Sequence, residues 1–200
     1  MKKIFFCCAV MASLFLAAFS VVAQEQAEAP TYKDGETWQF KVVEKGMAVQ
    51  TAAAVVRNFT VSLSAGRVTV SPRFLEVRRM LGIEDERQYL QFPLFVGKSW
   101  WVIYPGDGPV QMRGTTSVTR LEDVTTAAGT FRAFVIERRD KGFRRGGDAG
   151  RGDGRLAGRW SYTYYYSPQT RSIVKYYLAT GIGGRGGSRE FELINSGSDR

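Results

Sequence analysis

The stretch FPLFVGKSWW, residues 92–101, sets Phe92, Phe95, Trp100 and Trp101 around a proline and a Gly-Lys-Ser step. Three readings compete for it: a phosphate-binding loop, a strand entering an apolar core, and an aromatic wall for a ligand. The first requires GxxxxGK[ST] followed by a helix, and the residue five before Gly97 is Phe92. After Lys98 the chain continues as SWWVIY, which has the character of a strand and no helical period. The second reading is therefore preferred, with Pro93 and Gly97 shaping a turn and the aromatics entering a sheet. Alternation then separates Trp100 from Trp101, because successive side chains of a strand point to opposite faces. One of them must face solvent, a neighbouring element or a ligand cavity.

Working outward, the same period recurs on both sides. ETWQFKVVEKG (36–46) alternates Trp38, Phe40 and Val42 and closes on Gly46. Phe59, Val61 and Leu63 alternate ahead of an Ala-Gly turn, and RVTVS comes next. Val110 to Asp123 is a long Thr/Val strand, AAGTF a tight connection, and Phe131 to Arg139 a strand with Phe134 and Ile136 on one face. WSYTYYYSP, TRSIVKYYLAT and SREFELIN complete the series, with SPQT as a short hairpin connection. Many strands, frequent turns and almost no helix predict an all-β chain with room for one short helix around residues 73–91. The architecture expected is a single curved antiparallel sheet or a half-open β-barrel spanning residues 36–195.

The flanks read differently. Lys2 and Lys3, an apolar run from Ile4 to Phe19 and the small-residue site Val21-Val22-Ala23 have the order of a secretory signal peptide over residues 1–23. Export to the periplasm is implied, with no transmembrane span left after cleavage. Neither Cys7 nor Cys8 stands at the end of the apolar run, as a lipid-acylated cysteine would. Residues 24–35 read as a polar lead-in and 196–200 as a disordered C-terminus. Residues 140–159, DKGFRRGGDAGRGDGRLAGR, hold seven glycines and six Lys or Arg against three Asp. That composition predicts a flexible loop, since it offers too little apolar surface to order itself.

Composition also excludes chemistry. The chain has no His, and its two Cys lie in the leader. Ser-His-Asp and Cys-His sites are therefore ruled out after cleavage, as is a zinc site of the usual ligands. No cofactor and no metal are expected. A hydrolase would need carboxylate pairs, of which Glu84/Glu86 and Glu122/Asp123 are candidates, each explained as well by solvation of a turn or strand end. The net charge of +9 falls to +7 without Lys2 and Lys3, and reads as solubility with some attraction to an anionic envelope. Nucleic acid is not an expected partner, because the Arg/Gly segments lack regularly interleaved stacking aromatics.

FPLFVGKSWW, VTRLEDVTTAAGTFRAFVIER (118–138) and YYYSPQTRSIVKYY (164–177) occur in an order that resembles a class of bacterial periplasmic proteins of unknown function. That class in turn resembles the lipoprotein-carrier (LolA/LolB-like) architecture. The resemblance runs from Gly35 through Tyr177, and two departures stand in it. The usual Trp before Tyr-Ser-Pro is Tyr165 here, and the Gly/Arg-rich segment looks like an insertion. The resemblance implies an open β-barrel able to hold acyl chains.

Six aromatics are the candidate ligand contacts: Trp100, Trp101, Trp160, Tyr162, Tyr164 and Tyr166. Rings paired across strands stabilise a sheet without any ligand. A cavity lined by such rings would suit an acyl chain with a polar head. The expected function is that of an exported, non-catalytic envelope protein binding a hydrophobic or amphipathic, lipid-like ligand. The alternatives are a structural or assembly module that binds another envelope protein, and a carboxylate-based glycan hydrolase.

Overall fold

The computed structural model describes residues 24–45, 55–64, 67–71, 89–106, 108–144, 156–182 and 185–198. Eleven strands succeed one another along the chain. They are β1 (Gln26–Ala27), β2 (Glu36–Lys45), β3 (Val55–Ser64), β4 (Arg67–Ser71), β5 (Leu94–Phe95) and β6 (Ser99–Pro105). Then come β7 (Val110–Thr126), β8 (Gly129–Arg144), β9 (Leu156–Ser167), β10 (Ser172–Ile182) and β11 (Arg185–Ser198). Nine of them form one antiparallel sheet in the order β4-β3-β2-β11-β10-β9-β8-β7-β6, and β1 pairs with β5. The sheet is open, with β4 and β6 at its edges. The all-β expectation is therefore met, with no helix among the described residues, hence none long and apolar enough to cross a membrane.

The sheet is also curved. β7 and β11 are four positions apart, a separation of roughly 19 Å in a flat sheet. Yet the Ala128 N–H, in the β7–β8 turn, donates to the Leu193 carbonyl of β11 at 3.3 Å. Curvature gathers one side chain in two from every long strand into a single core. Trp38, Phe40, Val42, Val61, Trp100, Val102, Val118, Phe134, Ile136, Tyr176, Phe191 and Leu193 all lie there. β1, β5 and Tyr89 add Ala27, Leu94 and a ring to the same cluster.

The opening motif is a turn that delivers β6. Gly97, at φ 93°, takes a left-handed conformation costly for other residues. Its N–H donates to the Val118 carbonyl at 2.8 Å. Lys98 turns its ammonium onto the carbonyls of Gln91 (2.5 Å) and Pro93 (2.9 Å), so backbone oxygens occupy the charge that a phosphate loop would present.

Two boundaries need correction. Residues 140–144 and 156–159, expected in a flexible loop, are strand, with Asp140 opposite Trp160 and Lys141 opposite Arg159. The interior takes up Asp140 and Gly142, which continue the stripe of Phe134 and Ile136. At the C-terminus, Ser196–Ser198 pair with Glu36–Trp38 and extend β11 where a disordered tail was expected. Residues 1–23, 72–88 and 145–155 lie outside the described residues. The signal segment, most of the possible helix, Glu84 and Glu86 therefore fall there too.

The core stripe of β8 contains two charges. Arg138 and Asp140 have wholly buried side chains, and Arg138 Nε donates to both carboxylate oxygens at 2.8 and 3.0 Å. The Tyr104 hydroxyl donates to Asp140 Oδ2 at 2.5 Å. The guanidinium lies over three rings, 4.8 Å from Tyr89, 5.1 Å from Tyr104 and 5.8 Å from Tyr162. Gly114 faces this carboxylate across the β7–β8 ladder, and a Cβ there would stand 1.9 Å from Asp140 Oδ1. Gly114→Ala should therefore push Asp140 off its partners and cost about 3 kcal/mol or more in urea denaturation. Gly181→Ala, where a Cβ meets nothing within 4 Å, should stay within about 0.5 kcal/mol of the parent. Equal effects of the two substitutions would contradict the packing described.

Candidate functional site

The six candidate aromatics separate onto two faces. Trp100, Tyr162, Tyr164 and Tyr166 are buried, and Trp160 is packed against their cluster from its edge. Trp101 alone faces outward, 78% exposed. The sequence thus divides the tryptophan pair correctly but does not bring the six together in one cavity.

The buried rings touch one another. Tyr162 meets Tyr176 at 6.3 Å between centroids, Tyr176 stacks on Phe191 at 4.8 Å, and Phe191 meets Phe40 edge-on at 5.5 Å. On the other side Tyr89 contacts both Tyr162 and Tyr164, and Phe92 contacts Tyr166. Such pairs contribute about 0.5–1.5 kcal/mol each beyond area burial, enough to explain the cluster as core. One polar tip is received by the backbone: the Tyr164 hydroxyl donates to the Tyr89 carbonyl at 2.9 Å. Burial pushes the hydroxyls of Tyr162, Tyr164 and Tyr104 well above the ordinary tyrosine range, and the Asp140 charge adds to the effect at Tyr104. For Arg138, burial works toward a lower pKa, and its bond to Asp140 more than reverses this.

The outer face of β6, β7 and β8 carries a different set. A groove of about 500 Å³ is lined by Trp101, Arg113, Thr115, Ser117, Glu137, Arg139, Lys141 and Phe143. Its residues stand there by parity, as Ser99, Trp101 and Ile103 point outward while Trp100, Val102 and Tyr104 point in. Arg113 lies over the Phe143 ring at 5.4 Å. Glu137, the one carboxylate in the lining, approaches Arg139 at 3.8 Å and Arg120 at 3.7 Å. The cations of β8 are hidden in the sequence because the composition of residues 140–159 assigns Lys141 to a loop. The alternation of Arg138, Arg139, Asp140 and Lys141 is the signal that could have found them.

The candidate carboxylates Glu122 and Asp123 are each turned to an arginine. Glu122 is held by Arg120 at 2.6 Å, and Asp123, its neighbour in β7, faces Arg132 at 3.5 Å. Among the described residues no three acidic side chains come close enough to hold a metal ion.

No family model matches the chain, and no curated protein does. Among solved structures it is similar to the hypothetical lipoprotein YmcC of Escherichia coli K12, at 11% identity and a TM-score of 0.39, covering 79% of this chain and 84% of that one. A chain named as a lipoprotein from Parabacteroides distasonis is similar at 10% identity and a TM-score of 0.39, over 87% of this chain and 100% of that one.

The division into faces leads to two measurements. Trp100→Ala should cost about 3–5 kcal/mol in denaturation, and Trp101→Ala about 0.5 kcal/mol or less. Penalties of similar size would mean that the indoles share an environment. The buried tyrosines also set an alkaline limit. Their raised pKa means that the folded form keeps protons which the unfolded chain releases near pH 10. Their contribution is full below that pH and is lost as pH rises above it. Stability should fall from about pH 10 upward, with part of the phenolate absorbance appearing only as near-ultraviolet circular dichroism is lost. Full phenolate absorbance in a chain that keeps its dichroism would contradict this.

Proposed function

We propose that the chain is an exported, non-catalytic cell-envelope protein that binds an amphipathic, lipid-like ligand on the outer face of β6–β8. Trp101 contacts the apolar part of that ligand. One observation carries the reading: an indole 78% exposed at the lip of a groove that its own strand helps to line. A large apolar ring with a polar N–H edge suits the boundary between an acyl chain and its head group. Ile103, two residues on and 66% exposed, extends the same apolar edge. The other candidate rings are taken up by the core, which moves the contact from the concave face to the outer one. A sequence with no His, and with Cys only in its leader, supports a binding role over catalysis. The order of charge, apolar run and small residues at 1–23 supports export.

Among the described residues β6 pairs only with β7 and is an edge of the sheet. An envelope protein that added a strand to it would lie beside the same two side chains, which makes an assembly role the competing reading. A fluorescent fatty-acid probe separates the two. Wild-type protein should bind the probe, and Trp101→Ala should weaken binding about tenfold, the equivalent of 1.4 kcal/mol, without lowering the melting midpoint. Native mass spectrometry of protein from its own envelope fraction should then show bound lipid. A stoichiometric protein partner without lipid, or probe binding indifferent to Trp101, would favour assembly instead.

A further inference from the structure

Resting on that reading, we infer that the outer face of β7, β8 and β9 receives the phosphate groups of an anionic lipid surface, with Arg113, Lys141 and Arg159 as the receiving row. Backbone register places these three directly side by side. Arg113 is opposite Lys141, and Lys141 is opposite Arg159, one cation on each of three adjacent strands. Neighbouring strands lie about 4.8 Å apart, and like charges placed opposite one another work against a sheet.

The rows on either side do not relieve the repulsion. One contains Trp101, Thr115, Arg139 and Ser161, and the other Pro105, Gln111, Phe143 and Leu156. Across these three rows there are four cations and no carboxylate. Glu137 stands one row further on and is engaged with Arg139 and Arg120. Elsewhere the same face alternates its charges. Glu192 sits in register between Lys41 and Lys175, and Lys175 approaches Glu190 at 3.7 Å. Opposite charges are matched across β2, β11 and β10, whereas like charges are stacked across β7, β8 and β9. Stability alone explains the first arrangement and disfavours the second, so the second calls for an anionic occupant.

The surroundings of the row identify that occupant as a lipid surface. Its β6 end is Ile103, next to Trp101, and its other side holds Phe143 and the half-exposed Leu156. Cations flanked by exposed aliphatic and indole side chains match a headgroup layer with an acyl boundary beside it. A nucleic-acid strand would call for successive stacking rings along the track, and Ile103 and Leu156 cannot supply them.

Flotation with vesicles tests this. Purified protein should bind mixed phosphatidylcholine/phosphatidylglycerol vesicles at least about tenfold more tightly than phosphatidylcholine alone, and lose that preference as salt rises. Lys141→Gln and Arg159→Gln should each weaken binding to the anionic vesicles about fivefold, since each removes one surface charge. Lys41→Gln, on the charge-matched part of the sheet, should not. Should either row variant misfold, the salt dependence of the wild type still decides. Equal binding to both vesicle types would overturn the phosphate row while leaving the amphiphile reading intact. Absence of binding to the vesicles and to the fatty-acid probe would remove that reading as well. Displacement from vesicles by short duplex DNA, with Trp101→Ala binding the DNA unchanged, would show a general polyanion patch and overturn the lipid assignment. Binding of inorganic phosphate to the protein, with no vesicle binding, would overturn it in favour of the free ion.

Discussion

The Arg138–Asp140 pair lies inside the curve of the sheet, and the β6–β9 half is arranged around it. Withdrawing two full charges from water costs several kcal/mol for each, and attraction between them compensates only if the geometry is good and the remaining hydrogen-bonding capacity is used. Here Nε of Arg138 reaches both carboxylate oxygens, Tyr104 supplies a hydroxyl to one of them, and three ring faces surround the guanidinium. These groups come from different elements. Tyr104 is on β6, Tyr162 on β9, and Tyr89 lies ahead of β5. Gly114 on β7 leaves the space in which the carboxylate sits. Satisfying one ion pair therefore fixes the mutual position of four strands and a crossing segment.

From that pair the aromatic contacts run across the sheet. Tyr162 leads to Tyr176, Tyr176 to Phe191 and Phe191 to Phe40, so that β9, β10, β11 and β2 are joined through rings. At the far side a second buried charge is met from its own neighbourhood. Glu36 is bonded by the Arg171 guanidinium, which also donates to the Thr31 carbonyl at 3.0 Å, while the Arg171 carbonyl accepts from the Tyr32 hydroxyl at 2.9 Å. The Trp38 indole donates to the Thr170 carbonyl at 2.9 Å in the same turn. Glu36 and the Trp38 indole thus enter the core where local backbone and side chains receive them.

The fold was legible because antiparallel strands with one buried face announce themselves by alternation, and most of these do. Legibility failed where charge or glycine interrupted the apolar stripe. Arg138, Asp140 and Gly142 occupy inward positions, yet their composition suggests solvent. Only their spacing, two apart from Phe134 and Ile136, marks them as interior. Ser196 and Gly197 failed likewise, because pairing with Trp38 and Thr37 is a property of the partner strand. The tryptophan pair was half legible. Alternation requires Trp100 and Trp101 to part, and the choice between them rests on Val102 and Tyr104, which share the parity of Trp100. For the tyrosines of β9 the sequence shows that they share a face. It does not show whether opposing rings fill the space before them, and here Tyr89, Tyr176 and Phe92 do.

The cation row was illegible for a further reason: it exists only in register. Arg113, Lys141 and Arg159 are distant in sequence and unremarkable singly. The four residues from Arg138 to Lys141 connect this outer arrangement to the inner one, sending Arg138 and Asp140 into the core and Arg139 and Lys141 to the outer face. A slip of one residue would exchange the two sets, as it would for any strand. In this strand it would bury Arg139 and Lys141 among rings and expose the pair that Tyr104 and Gly114 are placed to receive. Burying those two cations with only Glu137 of their own strand beside them would cost far more than misplacing apolar residues of similar size. The interior ion pair thus does more than satisfy itself. It sets the register that lines up the outer cations, so the site on one face is held in place by the chemistry of the other.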